Sequence, residues 1–312
     1  MTNAIKVRLL KERASMLKKT RAFFDDRGFI EVDCPLLSHK APIDAYIDLF
    51  EVSLENNKKG FLHSSPEYGM KRLLALGLDN IYQLSHVFRM EEEGALHNPE
   101  FTLIEWYRKN TTFQTFISET CLLMEEFLGK TPFEVLTYRE ALHIYFDLDY
   151  SEATVDDLIT QAKKQNLYLE PDVKDELLNV IWGCLIEPHL GQKGLTMITD
   201  YPASQAALAK IREINGDLVA TRFEFYYKGI ELGNGYHELF NAHEQKKRLE
   251  QTNLKRLELG KNSLPIDDRF LTALEKEFPN CYGIAVGFDR LLMLKENFTS
   301  IHDLLPFSWS ES

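Results

Sequence analysis

The chain has 312 residues, 44% of them hydrophobic and 27% charged, enough to bury a substantial core in one large domain or two modest ones. Its 36 Lys and Arg stand against 48 Asp and Glu, and the net charge of -12 excludes a protein that wraps nucleic acid nonspecifically. No stretch reaches the ~18 to 20 uninterrupted apolar residues of a membrane span, and the N-terminus has no apolar core followed by a cleavage site, so a soluble, cytoplasmic protein without a membrane partner is expected. Cys34, Cys121, Cys184 and Cys281 are too widely spread for a CxxC pair, a zinc spacing or a disulfide framework and are expected to be reduced thiols.

Residues 1 to 30 hold eight Lys or Arg and three Asp or Glu, a local +5 that leaves -17 on the remainder. Leu10, Ala14, Leu17 and Phe24 recur at helical spacing among these charges, which predicts a solvated helix leading into the fold; Glu12, Asp25 and Asp26 argue against a transit peptide. Residues 28 to 107 mix short apolar runs with Gly and Pro, as strands and loops do. From 112 to 189 the pattern is mostly helical, with helices predicted over 113–128 and 172–190. Strand signals return at 195–199. Over 222–232, Phe223, Phe225 and Tyr227 alternate with Arg222, Glu224 and Tyr226 before Lys228-Gly229 and a second short run, which predicts a hairpin. A surface helix is predicted over 243–260, a strand over 282–286 and a helix over 289–295. Strands paired by hairpins, with helices set apart from them, indicate an α+β fold with an antiparallel sheet rather than a doubly wound one. No repeat or Pro/Ser-rich linker marks a boundary, so the simplest division is one domain over 1–312 with a mostly helical insertion at about 108–194.

Three segments concentrate chemistry. The first, VFRMEEEGALHNPEFTLIEWYR at 87–108, gathers Arg89, Glu91, His97, Asn98, Phe101, Glu105 and Tyr107, a set that no packing rule requires. An arginine fork can hold a phosphate at two points, an aromatic face can stack on a purine, and a carboxylate can accept from an exocyclic amine. The second is FEFYYKGIELGNGYHEL at 223–239. With Lys228-Gly229 as a two-residue loop, Tyr226 faces Glu231 and Tyr227 faces Ile230, so Glu224 and Glu231 lie diagonally on one face. Two close carboxylates repel unless a cation lies between them, and hard oxygen ligands beside nucleotide phosphates suit Mg2+. Gly233 and Gly235 are expected on that same face, leaving backbone open to a ligand. The third is GIAVGFDRLLML at 283–294, where Gly287 is expected to form a tight turn ending the strand and Asp289-Arg290 to open a helix whose amides favour a phosphate.

Together with RGFIEVDCPLL at 27–37, these segments resemble in order and spacing the signature motifs of class II aminoacyl-tRNA synthetases, specifically the catalytic domain of lysyl-tRNA synthetases. Residues 28–35 look like motif 1, Phe88-Arg89 through Glu91 with His97 to Phe101 like motif 2, and Gly287 to Arg290 like motif 3. The similarity covers residues 13–306, and HNPEF with ELGNGYHEL is specific to the lysine-type branch. Two departures stand out. Motif 1 begins at residue 28, leaving no room ahead of it for the OB-fold that reads the anticodon, so no tRNA anticodon binding is expected. Ala285 stands where the motif 3 strand of the lysyl enzymes has Gly. Both departures, and HNPEFTLIEWYR, are similar to the lysyl-tRNA synthetase paralogues that attach (R)-β-lysine to a lysine side chain of translation elongation factor P.

The resemblance implies an AMP-forming ligase that activates (R)-β-lysine or lysine as an aminoacyl-adenylate and passes it to elongation factor P, using ATP and Mg2+, in a homodimer built on motif 1. It implies that Arg89 and Arg290 are the catalytic cations on the ATP phosphates and that Phe101 stacks on adenine with Glu91 and Asn98 nearby. Met90, His97, Glu231, Leu232 and Gly287 complete the implied ATP site, and Glu224 and Glu231 are implied to bind Mg2+. SSPEYGMKRLL at 64–74 matches the substrate loop, so Ser65, Pro66 and Glu67 frame the amino acid. Glu105, Tyr107, Asn234 and Glu238 match positions that recognise its ammonium groups, and Ala285 lies at the pocket floor. The rival enzyme is a truncated synthetase that charges tRNA or another small acceptor, against which the acidic net charge argues. A catalytically dead regulatory paralogue is expected to lack the motif 2 or motif 3 arginine, whereas Arg89, Arg290, Glu224 and Glu231 are all present.

Overall fold

Helix α1 (Asn3–Asp25) starts at Thr2, whose hydroxyl accepts from the amide of Ile5. Its buried stripe is Leu9, Arg13, Met16, Thr20, Phe23 and Phe24, displaced by about one residue from the predicted Leu10, Ala14 and Leu17. The stripe includes two polar residues that a search for apolar periodicity passes over. Thr20 returns its hydroxyl to the carbonyl of Met16, and Arg13 pairs with Asp289. The computed structural model describes residues 2–90, 92–170, 172–276 and 278–312, so Glu91 lies outside the described residues. Two units divide the chain, Met1–Gly129 with Leu239–Ser312 and Lys130–Glu238.

In the first unit the chain continues through β1 (Ile30–Glu31), β2 (Leu37–Ser38), β3 (Glu51–Leu54), β4 (Lys58–Leu62), α2 (Glu67–Ala75), β5 (Ile81–Phe88), β6 (Glu100–Lys109) and α3 (Phe113–Leu128). The predicted helix 113–128 is therefore present, opened by Thr112 accepting from the amide of Thr115. Strands β5 and β6 pair antiparallel with Gln83 opposite Glu105, and β2, β4 and β3 form a separate antiparallel sheet. Strand β1 runs parallel to β5, which the long connection between them permits.

The second unit holds β7 (Phe133–Thr137), α4 (Tyr138–Phe146), α5 (Val155–Lys164), α6 (Lys174–Ile181), β8 (Leu195–Pro202), β9 (Ile211–Ile214), β10 (Asp217–Tyr227) and β11 (Ile230–His237). Reciprocal capping boxes, Thr137 with Glu140 and Thr154 with Asp157, start α4 and α5. The predicted helix 172–190 is broken: α6 passes into a π turn (Trp182–Ile186) and a 3-10 turn (Glu187–His189). Pro188 lacks the amide that would have continued an α-helix. Tyr138, Leu142, Phe146, Leu158, Leu177, Ile181 and Trp182 pack with Ile198, Tyr201 and Tyr226 of the strands into one core. Strand β10 pairs antiparallel with β8, β9 and β11, while β7 and β8 run parallel across the helical crossover.

The first unit resumes with α7 (Ala242–Glu258), α8 (Asp268–Leu274), β12 (Cys281–Gly287) and α9 (Phe288–Lys295). Strand β12 pairs antiparallel with β6, setting Ala285 opposite Glu105 and Gly287 opposite Leu103. Each unit combines a largely antiparallel sheet with packed helices, the expected α+β class. Among the described residues no helix is long and apolar enough to cross a membrane.

Candidate active site

Strand β6 sets the spacing of the first unit's functional side chains. Its unbroken register with β5 and β12 keeps Phe101, Leu103, Glu105 and Tyr107 on one face, and four residues of strand separate Phe101 from Glu105 by about 13 Å. Glu105 is 2% exposed. The Tyr107 hydroxyl donates to its Oε1 at 2.7 Å and the Ser65 hydroxyl to its Oε2 at 2.7 Å. Ser65 Oγ also accepts the amide of Glu67 at 3.0 Å, tying this carboxylate to the first turn of α2, which Pro66 caps. Lys71 follows one turn along α2, 1% exposed, and donates to Glu67 Oε1 at 2.6 Å. Burial, and next the charge of Glu67, push the Glu105 carboxyl up to about 7, against the pull of Ser65, Tyr107 and Lys71. Expected pocket residues Ser65, Pro66, Glu67, Glu105, Tyr107 and Ala285 therefore lie together around the middle of β6.

The predicted cations meet at the end of that strand. Arg290, in the first turn of α9, donates to His97 Nε2 at 2.8 Å, and burial followed by the Arg290 charge lowers the His97 pKa. A neutral His97 accepting through Nε2 suits that contact. The Arg89 guanidinium lies 5.1 Å from the Phe101 ring centre, and its buried Nε has no hydrogen-bond partner among the described residues. An orphaned cationic donor beside an aromatic face fits a nucleotide phosphate. Asn98, 5% exposed, accepts the amide of Trp309 at 2.9 Å through Oδ1 and donates to the carbonyl of Glu100 at 2.7 Å. Met90 is held through its amide by the carbonyl of Asp48 at 2.9 Å.

Strand β12 ends at Gly287 and α9 begins at the next residue, the tight turn expected there. The Gly287 φ of -70° and ψ of 102° are nonetheless open to any residue, and the nearest atoms to an added Cβ would be those of the Arg290 side chain, at 3.6 Å or more. What glycine leaves there is room beside Arg290. Asp289 turns inward, 2% exposed, pairing with Arg13 and accepting the Thr102 amide at 2.6 Å, so it neutralises a different arginine from its chain neighbour Arg290.

In the second unit the hairpin has the expected turn, with Tyr227 opposite Ile230 and Tyr226 opposite Glu231. A bulge then places Phe225 opposite Gly233 and Glu224 opposite Asn234, with Leu232 as the extra residue. Glu224 and Glu231 still share a face. Gly233 and Gly235 do not: they lie opposite Phe225 and Phe223 on the other face, because the bulge moves the rest of β11 by one position. Glu224, 4% exposed, accepts from Arg222 through Oε1 and from the hydroxyls of Tyr201, at 2.5 Å, and Tyr226 through Oε2. Burial and then the Glu224 charge hold both tyrosines well above their usual pKa, as protonated donors. The Trp182 indole donates to the Tyr226 hydroxyl at 3.0 Å, so the π turn braces the carboxylate from behind. Asn234 Oδ1 is buried without a hydrogen-bond partner among the described residues, as an acceptor for an ammonium would be, and Glu238, 1% exposed, follows at the end of β11.

Among the described residues no group of three or more His, Cys, Asp or Glu is placed to hold a metal ion. Mg2+ does not need one, since it keeps several waters and binds through one or two carboxylates together with phosphate oxygens. Glu231 and Glu224 are carboxylates of the kind that role needs, and Glu224 also pairs with Arg222.

The family described as tRNA synthetases class II (D, K and N) matches residues 2–311. The chain belongs to this family. It is 42% identical over 301 residues to the elongation factor P--(R)-beta-lysine ligase of Pasteurella multocida strain Pm70, covering 95% of this chain and 93% of that protein. To the ligase of the same name from Haemophilus influenzae strain KW20 it is 40% identical over 303 residues, covering 95% and 94%.

As a class II synthetase domain the chain carries functional neighbours that sequence reasoning missed. Lys71 was detectable, being four residues after Glu67 on the helix that SSPEYGMKRLL opens. Arg222 lies two residues before Glu224, on the same face of a predicted strand. The contacts of Arg13 with Asp289 and of Trp309 with Asn98 span 276 and 211 residues and had no local signal.

Proposed function

We propose that this protein activates (R)-β-lysine, or lysine, as an aminoacyl-adenylate at the expense of ATP and transfers it to a lysine side chain of translation elongation factor P. The observation that carries the activation step is the layout of β6. Phe101, at the arginine end, and Glu105, in the acidic pocket, share a face about 13 Å apart, a span suited to an adenylate whose amino acid ends in an ammonium. The choice of acceptor rests on the similarity to ligases named for elongation factor P.

In this reading Arg89 and Arg290 hold phosphate oxygens and stabilise the charge that develops as the amino-acid carboxylate attacks the α-phosphate and pyrophosphate leaves. Neutral His97 keeps the Arg290 guanidinium oriented, and Phe101 stacks on adenine, with Met90 and Asn98 completing that site. Ser65, Pro66, Glu67, Glu105 and Tyr107 receive the amino acid, with Asn234 and Glu238 reading its ammonium groups and Ala285 limiting the space beside its α-carbon. Glu231, with Glu224, would hold Mg2+, which when bound neutralises phosphate charge. Transfer then follows when the acceptor amine attacks the adenylate carbonyl and AMP leaves. Catalysis is positioning and charge stabilisation, and the protein supplies no covalent nucleophile. The homodimer and a cytoplasmic location belong to this reading.

The test is purified protein with ATP and each lysine isomer, offered elongation factor P or bulk tRNA and read by intact mass of the protein and acid-gel shift of the tRNA. Modification of elongation factor P is expected. Charging of tRNA with unmodified elongation factor P would establish the rival synthetase reading instead.

A further inference from the structure

We propose that the backbone amide of Trp309 is a positioning group for the ATP site, fixing the orientation of the Asn98 side chain. This rests on Asn98 belonging to that site. The two ends of an asparagine amide are nearly alike in shape, so its hydrogen bonds decide which end presents a donor. Here both ends are keyed to backbone: Oδ1 accepts from Trp309 and Nδ2 donates to the Glu100 carbonyl. One N–H and one lone pair remain for a ligand, in an orientation set from outside the site. At 5% exposure, flipping the amide would sacrifice both bonds without water to replace them.

Segment 301–309 is anchored for this task. The amide of Ile301 donates to the carbonyl of Ala95 at 2.9 Å and His302 Nε2 to the carbonyl of His97 at 3.1 Å, so three successive contacts grip the loop that carries His97 and Asn98. Ser308, 3% exposed, starts a 3-10 turn (Trp309–Glu311) through a capping box with Glu311. The first amide of such a turn has no partner within it, and Asn98 takes that donor. The Trp309 side chain is 57% exposed, so the amide rather than the indole is the working group.

The position allows a clean experiment. Ser308 is extended, with φ -75° and ψ 167°, and the first residue of a helical turn accepts proline, so Trp309→Pro removes the donor without backbone strain. Trp309→Ala removes the indole and keeps the donor. With pyrophosphate exchange as the assay, Trp309→Pro is expected to raise the KM for ATP about 3- to 10-fold, as loss of one buried hydrogen bond would. Its kcat, its KM for the amino acid and its unfolding temperature should stay close to wild type, as should the ATP KM of Trp309→Ala. Equal ATP KM values in the two variants overturn the proposal. So does a joint rise in both KM values with a fall in unfolding temperature, which marks the segment as structural only. On the wild-type protein, a non-hydrolysable ATP analogue should slow hydrogen exchange at the Trp309 amide, because coupling between the two is reciprocal. Unchanged exchange also overturns it. An unaltered ATP KM in Asn98→Ala would instead remove Asn98 from the ATP site, whatever the Trp309 variants do.

Discussion

Glu105 combines almost complete burial with two hydroxyl donors and a neighbouring carboxylate, and its pKa of about 7 places its charge within reach of physiological pH. Only the ionised form attracts an ammonium, so the KM for the amino acid is expected to fall as pH rises through about 7, measured by pyrophosphate exchange at saturating ATP. Its folded-state pKa lies above the ~4.3 of an unfolded glutamate, so its contribution to stability is complete below ~4.3 and is lost as pH rises towards the folded value. Ligand-free wild type should therefore lose unfolding temperature relative to Glu105→Gln between those limits. The same substitution should raise the KM for the amino acid about 10- to 100-fold with ATP use intact. Ala285, opposite Glu105, adds one methyl beside the pocket, a difference worth roughly 10- to 200-fold in discrimination. Ala285→Gly is expected to raise activity with α-lysine relative to (R)-β-lysine, and an unchanged isomer ratio would remove it from selectivity. The types and order of these residues were legible because motif spacing is local. Their partners were not: Lys71 and Arg222 acquire their roles from the partly or fully buried carboxylates they neutralise, and burial belongs to the folded chain.

The β10–β11 hairpin shows where legibility ended at the scale of elements. Lys228-Gly229 set the turn, and the register next to it followed, because a two-residue loop leaves no freedom there. The bulge at Leu232 lay beyond that reach and reversed the face given to Gly233 and Gly235. In α6 the helical pattern was right but did not reveal the π turn, and in α1 the stripe was obscured because Arg13 and Thr20 are polar. The bulge has an experimental consequence for the metal. Glu224→Gln removes the counter-charge of the half-buried Arg222 from a carboxylate that is itself 4% exposed, so it should depress folding as well as activity. Glu231→Gln is the second test. It is expected to raise the Mg2+ concentration needed for half-maximal adenylate formation; an unshifted Mg2+ titration would remove Glu231 from the metal.

For the whole molecule the open question is assembly. Ile30, Leu36 and Leu37, in and beside motif 1, are 47%, 41% and 40% exposed, an apolar surface suited to a second copy. Light scattering at micromolar concentration should report a dimer, and Leu37→Asp should shift it towards monomer. Monomer at every concentration would exclude motif 1 as an interface. Two-fold pairing of identical surfaces would let that one substitution act on the contact twice.

The Thr102 amide offers a separate kind of measurement. Strand β12 ends opposite Leu103, so the neighbouring amide on β6 is held not by a sheet carbonyl but by Asp289, a side chain on α9. Its exchange with deuterium therefore clocks the release of α9 from the strand, while the flanking ladder amides clock the opening of the sheet. If nucleotide clamps the Arg290 helix, the Thr102 amide should slow more than its neighbours do, giving a single-residue stopwatch for motif 3 that needs no label and no substitution.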